Sequence, residues 1–237
     1  MMQLTSHRLG RRSLHVVSGG AGEPAILFLH GMGMSHATWS ACMEHLAGAH
    51  RMIALDYIGH GESPVPADPA EYTRDLTLDD IDEVLDWIDA PTVLVGHSLG
   101  GYLALAHAAT RPGRAIGVVV LNTGPGYRDA EKREAWNERS RRNAHRFGVP
   151  VQVADLNLQA DSVVMDRLAD LDVPVLALAG SADRPEYATS GEYLARKMRH
   201  ARFVPVEGGE HSMHESTHAD VVAGLVAGFV DELSRST

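Results

Sequence analysis

One cysteine, Cys42, stands in 237 residues. A lone thiol excludes an internal disulfide and a cysteine-rich zinc site. Placed on a predicted helix, it reads as a small buried hydrophobe rather than a reactive thiol. No apolar run approaches the roughly 20 residues of a membrane span. The N-terminal stretch 1–17 carries arginines but no apolar segment of signal-peptide length. These absences make a cytoplasmic enzyme the default expectation. Internal repeats and low-complexity linkers are missing too. Positive charge is scarce: 21 Lys and Arg against 31 Asp and Glu leave a net charge of −10. That balance argues against nucleic acid or an anionic membrane as the main partner. Fourteen histidines would change it below about pH 6.5.

What is present is enough for a sizeable core. Hydrophobic residues make up 44% and charged residues 22% of the chain, as in a globular, soluble α/β domain of ordinary size. Residues 1–11 and 13–18 read as a short strand pair. Ala25-Ile-Leu-Phe-Leu29 is an apolar strand buried on both faces, as parallel sheets require, and Met52–Leu55 is the next. Thr38–Ala47 reads as a helix with Trp39, Met43 and Leu46 on one side. Thr77–Asp89 is the clearest helix. Thr77 would cap it, and Leu78, Ile81, Leu85 and Ile88 form its apolar face. Its other face carries Asp79, Asp80, Asp82, Glu83 and Asp86, either a solvated face or a metal or partner patch. Ile116–Leu121, Val173–Ala179 and Ala201–Val206 are further strands, and Glu186–Arg199 a helix. His218–Leu233 is a helix with a stripe of Val221, Val222, Leu225, Val226, Phe229 and Leu233. Strands alternating with helices predict a mostly parallel sheet covered on both faces.

The chemistry centres on Thr92-Val-Leu-Val-Gly-His-Ser-Leu-Gly-Gly101. A strand ends on Gly96, Ser98 follows after one residue, and Gly100 opens a helix. Gly-x-Ser-x-Gly between strand and helix is a turn tight enough to strain the serine and expose its hydroxyl. Side chains at 96 and 100 would collide with the neighbouring strand and helix. In such sheets the site lies at the carboxyl ends of the strands. The stretches at those ends are His30-Gly-Met-Gly33, Asp56, Ser98, Asn122, Asp183 and His211, so a nucleophile, an acid and a base reach one edge from separate strands.

These motifs, in this order, resemble an α/β-hydrolase across essentially the whole chain. His30-Gly31-Met32-Gly33 matches the oxyanion loop. Asp56 with Gly59-His-Gly61-Glu-Ser63 matches the Asp-x-x-Gly-x-Gly-x-Ser loop, although Tyr57-Ile58 departs from its common Pro-containing form. Gly96-His-Ser-Leu-Gly100-Gly101 matches the nucleophile elbow. Gly180-Ser-Ala-Asp183-Arg-Pro185 matches the acid loop, and Gly208-Gly-Glu-His211 the histidine loop. The resemblance implies an eight-stranded, mostly parallel sheet flanked by helices. The hydrolase core would be residues 1–121 and 172–237, and a short helical cap, 122–171, would be inserted after the sixth strand.

It also implies Ser98 as nucleophile, His211 as base and Asp183 as the acid that orients it. The backbone N–H groups of Met32 and Leu99 would form the oxyanion hole. Candidate substrate contacts are His30, Gly31, Met34, Trp136 and His214. Of these, His30 would also brace the oxyanion loop and His214 would pack near the entrance. His97 reads as structural. His211, His214 and His218 at helical spacing also suggest a metal cluster, but no separate acid or cysteine set accompanies them, so no metal and no cofactor are expected. The family's alternative acid position falls at Asn122-Thr123, which carries no carboxylate.

Arg128, Lys132, Arg133, Arg139, Arg141, Arg142 and Arg146 make the cap segment basic on an acidic protein. They would bind an anionic substrate or an acidic carrier, or else pair with Glu131, Glu134 and Glu138 on a solvated helix. The expected activity is cofactor-free hydrolysis of a small-molecule ester, thioester or lactone through a Ser98 acyl-enzyme. The same triad also serves carbon–carbon hydrolysis, lyase and haloperoxidase-type reactions, and receptors with little turnover share the fold. A serine at 98 disfavours Asp-nucleophile epoxide or haloalkane chemistry.

Overall fold

Four apolar runs, β3 (Ala25–Leu29), β5 (Thr92–His97), β6 (Gly117–Leu121) and β7 (Val175–Gly180), are buried at every position. Runs of Val, Leu, Ile and Ala with no polar alternation can be satisfied only between two covering layers. In the computed structural model, which describes residues 3–235, they form the middle of an eight-stranded sheet. Its order is β1-β2-β4-β3-β5-β6-β7-β8, with β1 Thr5–Leu9, β2 Leu14–Gly19, β4 Met52–Leu55 and β8 Ala201–Val206. From β4 onward across the sheet every pairing is parallel, while β2 runs antiparallel to both β1 and β4.

Each face has its own apolar layer. Under one face, α2 (Arg74–Ile88), α3 (Leu99–Thr110) and α6 (Pro185–Lys197) bury Leu78, Ile81, Leu103 and Leu194. Under the other, α1 (Ser40–His45) and α7 (Ala219–Arg235) bury Cys42, Met43, Val222, Val226 and Phe229. Cys42 donates its thiol to the His214 carbonyl at 3.2 Å, and burial pushes it up to about 12. No helix among the described residues is long and apolar enough to cross a membrane.

Several sequence expectations shift. The helix expected from Thr38 begins as a 3-10 turn over His36–Trp39, capped by the Ser35 hydroxyl, before α1. The α2 cap is Thr73, whose hydroxyl accepts from the Leu76 amide at 3.3 Å. Thr77 lies one turn inside and donates back to the Thr73 carbonyl. Val221 is 44% exposed and drops out of the α7 stripe.

The acidic face of α2 is not simply solvated. Asp82 meets His107, Arg111 and Arg114; Asp79 meets Arg111; Asp86 meets Arg114; Glu83 meets Arg11; and Asp80, 3% exposed, meets Arg12 at 3.0 Å. It is an ion-pair seam that ties α2 to α3 and to the β1–β2 turn.

Between β6 and β7, residues 122–171 leave the sheet. They hold α4 (Ala130–Arg142), α5 (Val163–Arg167) and several 3-10 turns. The expected glutamate partners on α4 are largely unused. Arg141 reaches Glu134, seven residues earlier, and Asp155, while Arg128 pairs with Asp166 at 3.0 Å.

Candidate active site

β5 delivers Ser98 to the sheet edge through backbone that only glycine-flanked geometry permits. Ser98 has φ 51° and ψ −111°, outside the ordinary wells for a residue with a side chain. A Cβ at Gly96 would strike the Gly100 carbonyl, and one at Gly100 the Leu29 carbonyl. The packing of β5, β3 and α3 therefore holds the strain in place, the situation in which strained backbone persists at functional sites. Ser98 is half-buried, and Ser98 Oγ makes no hydrogen bond to a protein atom among the described residues.

His211 follows β8 and Asp183 follows β7. His211 Nδ1 lies 2.6 Å from Asp183 Oδ2. A carboxylate only accepts, so Nδ1 carries the proton and Nε2 is left bare as an acceptor. Asp183 is well shielded, its side chain 7% exposed against 38% for His211. Its other oxygen accepts from the Arg184 amide at 2.7 Å. Ser98, Asp183 and His211 line one cavity of about 460 Å³. Gly31, Met32, Met34 and Trp136 line it as well.

Among the described residues, two backbone amides near Ser98, those of Met32 on this cavity and Leu99 on the smaller one beside it, have no acceptor. The Leu99 N–H opens α3 and so has no partner within the helix. The Met32 N–H finds no acceptor among the described residues. The loop carrying it is braced from behind. Buried Asp56 accepts from the His36 amide at 2.6 Å, the Glu62 amide at 2.9 Å and Nδ1 of both His15 and His36 at 3.0 Å. These bonds, with partly exposed His36 beside it, hold the Asp56 carboxyl well below the usual carboxylate range despite burial, and the same contact raises His36.

His15, His36 and Asp56 place three ligand-type atoms within 4.8 Å of one another. Both Nδ1 atoms and the carboxylate are already spent on one another and on backbone amides, so the cluster works as a brace.

Two expected substrate contacts lie elsewhere. His30 and His214 are fully buried and do not line the cavity. His30 accepts from the Tyr57 amide and packs on Tyr57, and burial lowers it to about 3. His214 stacks between Trp39 and His97 at ring distances of 4.3 and 4.4 Å. Residues 211–218 form turns rather than a helix, so the helical spacing of His211, His214 and His218 does not apply.

Other residues pack around His211, and of these Tyr187 was silent in the sequence. Asn122 donates to the Glu210 and His211 carbonyls and accepts from the Gly180 amide. Its position at a strand end facing the site was the available signal. Tyr187 packs its ring 5.0 Å from His211, and Arg184 lines the cavity directly after the acid. His97 donates Nε2–H to the His211 carbonyl at 2.8 Å, and burial together with His214 and His211 lowers it well below its ordinary value.

Sequence comparison gives the family of the chain that holds this site. Residues 26–225 match the Alpha/beta hydrolase family. The chain belongs to the alpha/beta hydrolase family. Among curated relatives, "(E)-2-((N-methylformamido)methylene)succinate hydrolase" of Acinetobacter baylyi is 26% identical, over 90% of this chain and 93% of its own. "Epoxide hydrolase 4" of Mus musculus is 33% identical, but the match takes in 48% of this chain and only 32% of that protein. Among solved structures, the enol-lactonase from Burkholderia xenovorans LB400 superposes with a TM-score of 0.76 at 19% identity, over 96% of this chain and all of that one, and shares the fold. The alpha/beta hydrolase fold, with its eight-stranded and mostly parallel sheet, stands as the sequence implied.

Proposed function

We propose that this alpha/beta hydrolase cleaves a carboxylic ester, thioester or lactone through an acyl-enzyme on Ser98. The carrying observation is the 2.6 Å bond from His211 Nδ1 to Asp183, which leaves Nε2 bare on the cavity that Ser98 also lines. In the first half-reaction Ser98 Oγ attacks the carbonyl carbon as its proton passes to His211 Nε2. The tetrahedral oxyanion is held by the Met32 and Leu99 amides. The carbon–heteroatom bond then breaks, and the leaving alcohol or thiol takes the proton from His211. Water repeats the sequence: His211 takes its proton, hydroxide oxygen joins the acyl carbon, and the acid departs as the proton returns to Ser98. Asp183 keeps the tautomer and stabilises the imidazolium. Catalytic hydrogen bonds often tighten only when substrate binds, in keeping with the unbonded Ser98 hydroxyl.

The 122–171 stretch acts as the cap in this reading, since its Trp136, Asn143 and Phe147 line the cavity together with Ser98. The relative matched over most of both chains is named as a hydrolase, which supports hydrolysis. The test is fluorophosphonate labelling of wild type and Ser98→Ala beside a chain-length series of p-nitrophenyl esters. Labelling lost in the variant, with a burst of p-nitrophenol in wild type, is the expected result. Labelling without ester turnover would move the reading to carbon–carbon cleavage on the same triad. No labelling at all would remove Ser98 as nucleophile.

A further inference from the structure

The basic residues of the 122–171 stretch differ in what holds them. Arg128 is held by Asp166, Arg133 by the Tyr127 and Arg128 carbonyls, and Arg141 by Glu134 and Asp155. Arg139 and Arg146 have no acidic partner among the described residues, and both line the 460 Å³ cavity together with Ser98 and His211. Arg184, from the loop that carries Asp183, joins them there, also without an ion pair. The Arg139 guanidinium rests 5.0 Å from the Trp136 ring centre, a contact that steadies a cation without neutralising it.

Three guanidinium groups thus share the lining with one carboxylate, Asp183, whose two oxygens are already bonded to His211 and the Arg184 amide. Glu186 lines the smaller adjoining chamber of about 170 Å³, which Arg139 and Arg184 also line, and forms no ion pair with either. On a chain of net charge −10, three unpaired arginines around the candidate nucleophile call for an explanation. The three residues are exposed as well as lining the cavity, and a cleft with an excess of one sign of charge concentrates ligands of the other, while guanidinium forks match carboxylate geometry.

We infer that the substrate is a small ester or thioester carrying a carboxylate, which Arg139, Arg146 and Arg184 bind while the reacting carbonyl lies at Ser98. The inference rests on the acyl-enzyme reading and names its substrate class. A small molecule is favoured over an acidic carrier protein because the unpaired arginines line the cavity. Lys132 and Arg142 lie on the same helix as Arg139 but do not line the cavity, although all five residues are exposed.

The test compares kcat/KM for monomethyl glutarate with methyl valerate, and for acetoxyacetate with ethyl acetate, so that the carboxylate sits on the acyl or the alcohol side. Wild type should favour the anionic member of at least one pair by about tenfold or more. That ratio should fall about tenfold in Arg139→Gln/Arg146→Gln/Arg184→Gln, and it should shrink between low and high salt as screening sets in. Lys132→Gln/Arg142→Gln should keep it. Neutral esters preferred by wild type, a ratio unchanged in the triple variant, or an equal loss in the outer pair would each overturn the inference. The last outcome would favour a carrier.

Failure of the acyl-enzyme reading shows separately, as absent fluorophosphonate labelling. Binding of monomethyl glutarate to Ser98→Ala, measured by titration calorimetry with and without the three arginine changes, still decides the anion site in that event. Weaker binding in the arginine variant is the expected result, and equal binding defeats the proposal.

Discussion

Asn122 Nδ2 donates to the His211 carbonyl oxygen at 2.7 Å, while Asn122 Oδ1 accepts from the Gly180 amide at 2.9 Å. One side chain at the end of β6 therefore links the end of β7, which leads to Asp183, with the loop that carries His211. Asn122 is fully buried and has φ 48°, a conformation Asn tolerates better than most residues. Asn122→Ala leaves the Gly180 amide without its acceptor, worth about 1–3 kcal/mol when unpaired, while the His211 carbonyl keeps the His97 donor. It should lower stability by about 1–3 kcal/mol in urea unfolding. It should also cut kcat by about ten- to a hundredfold, because misplacing His211 by an ångström is costly. Asn122→Asp keeps the acceptor for Gly180 and loses the donor to His211. It should recover less activity than stability if positioning His211 is the main role.

The elbow glycines and the glycines of α7 should respond in opposite directions to the same substitution. A Cβ at Gly100 meets the Leu29 carbonyl of β3, and neither backbone can give way. Gly100→Ala should cost about 3 kcal/mol or more, at the upper end for overpacking, and should abolish fluorophosphonate labelling. At Gly224 and Gly228 an added Cβ meets nothing within 4 Å. Alanine there removes unfolded-state freedom inside a helix and should add about 0.5–1 kcal/mol. Denaturant midpoints of the three variants settle the contrast.

The grouping of the candidate residues was legible because its signals are short in sequence. Gly96, Ser98 and Gly100 lie within five residues, and the strand-end rule places Asp183 and His211 at the same edge. What the sequence hid depends on distant partners. The acids of α2 read as solvated because Arg11, Arg12, Arg111 and Arg114 lie about 30 to 70 residues away in the chain. His36 carries no motif, and only the fold brings it to Asp56. Thr73 and Thr77 are both plausible caps by residue type. Burial of His30 and His214, which removes them from the substrate side, follows from which way their loops turn, and no residue spacing encodes that.

Within the α2 seam, Asp82 and Asp86 should differ. Asp82 accepts from His107 Nε2 at 2.9 Å, and that ring is fully buried. Removing the acceptor leaves a buried donor unpaired, so Asp82→Ala should cost about 1–3 kcal/mol. Asp86 meets only Arg114, with both side chains well exposed, and Asp86→Ala should stay within about 0.5 kcal/mol. Equal losses in the two variants, read from urea unfolding, would contradict the division.

The Asp56–His36 contact predicts a pH window for stability. The hydrogen bond to Asp56 raises His36 above its ordinary 6.5. The native state then holds the His36 proton more tightly than the unfolded chain, and this contribution is complete below about pH 6.5 and lost as pH rises through the raised value. Asp56 is held below its ordinary 3.8, so its contribution is present above that value and lost as pH falls beneath it. The brace behind the oxyanion loop should therefore be strongest between about pH 4 and 6.5. His36→Gln keeps a side-chain donor toward Asp56 and cannot titrate. Its Tm, lower than wild type at pH 6, should converge on the wild-type value by pH 9. A Tm difference that stays constant from pH 5 to 9 would show that His36 braces the loop in its neutral form alone.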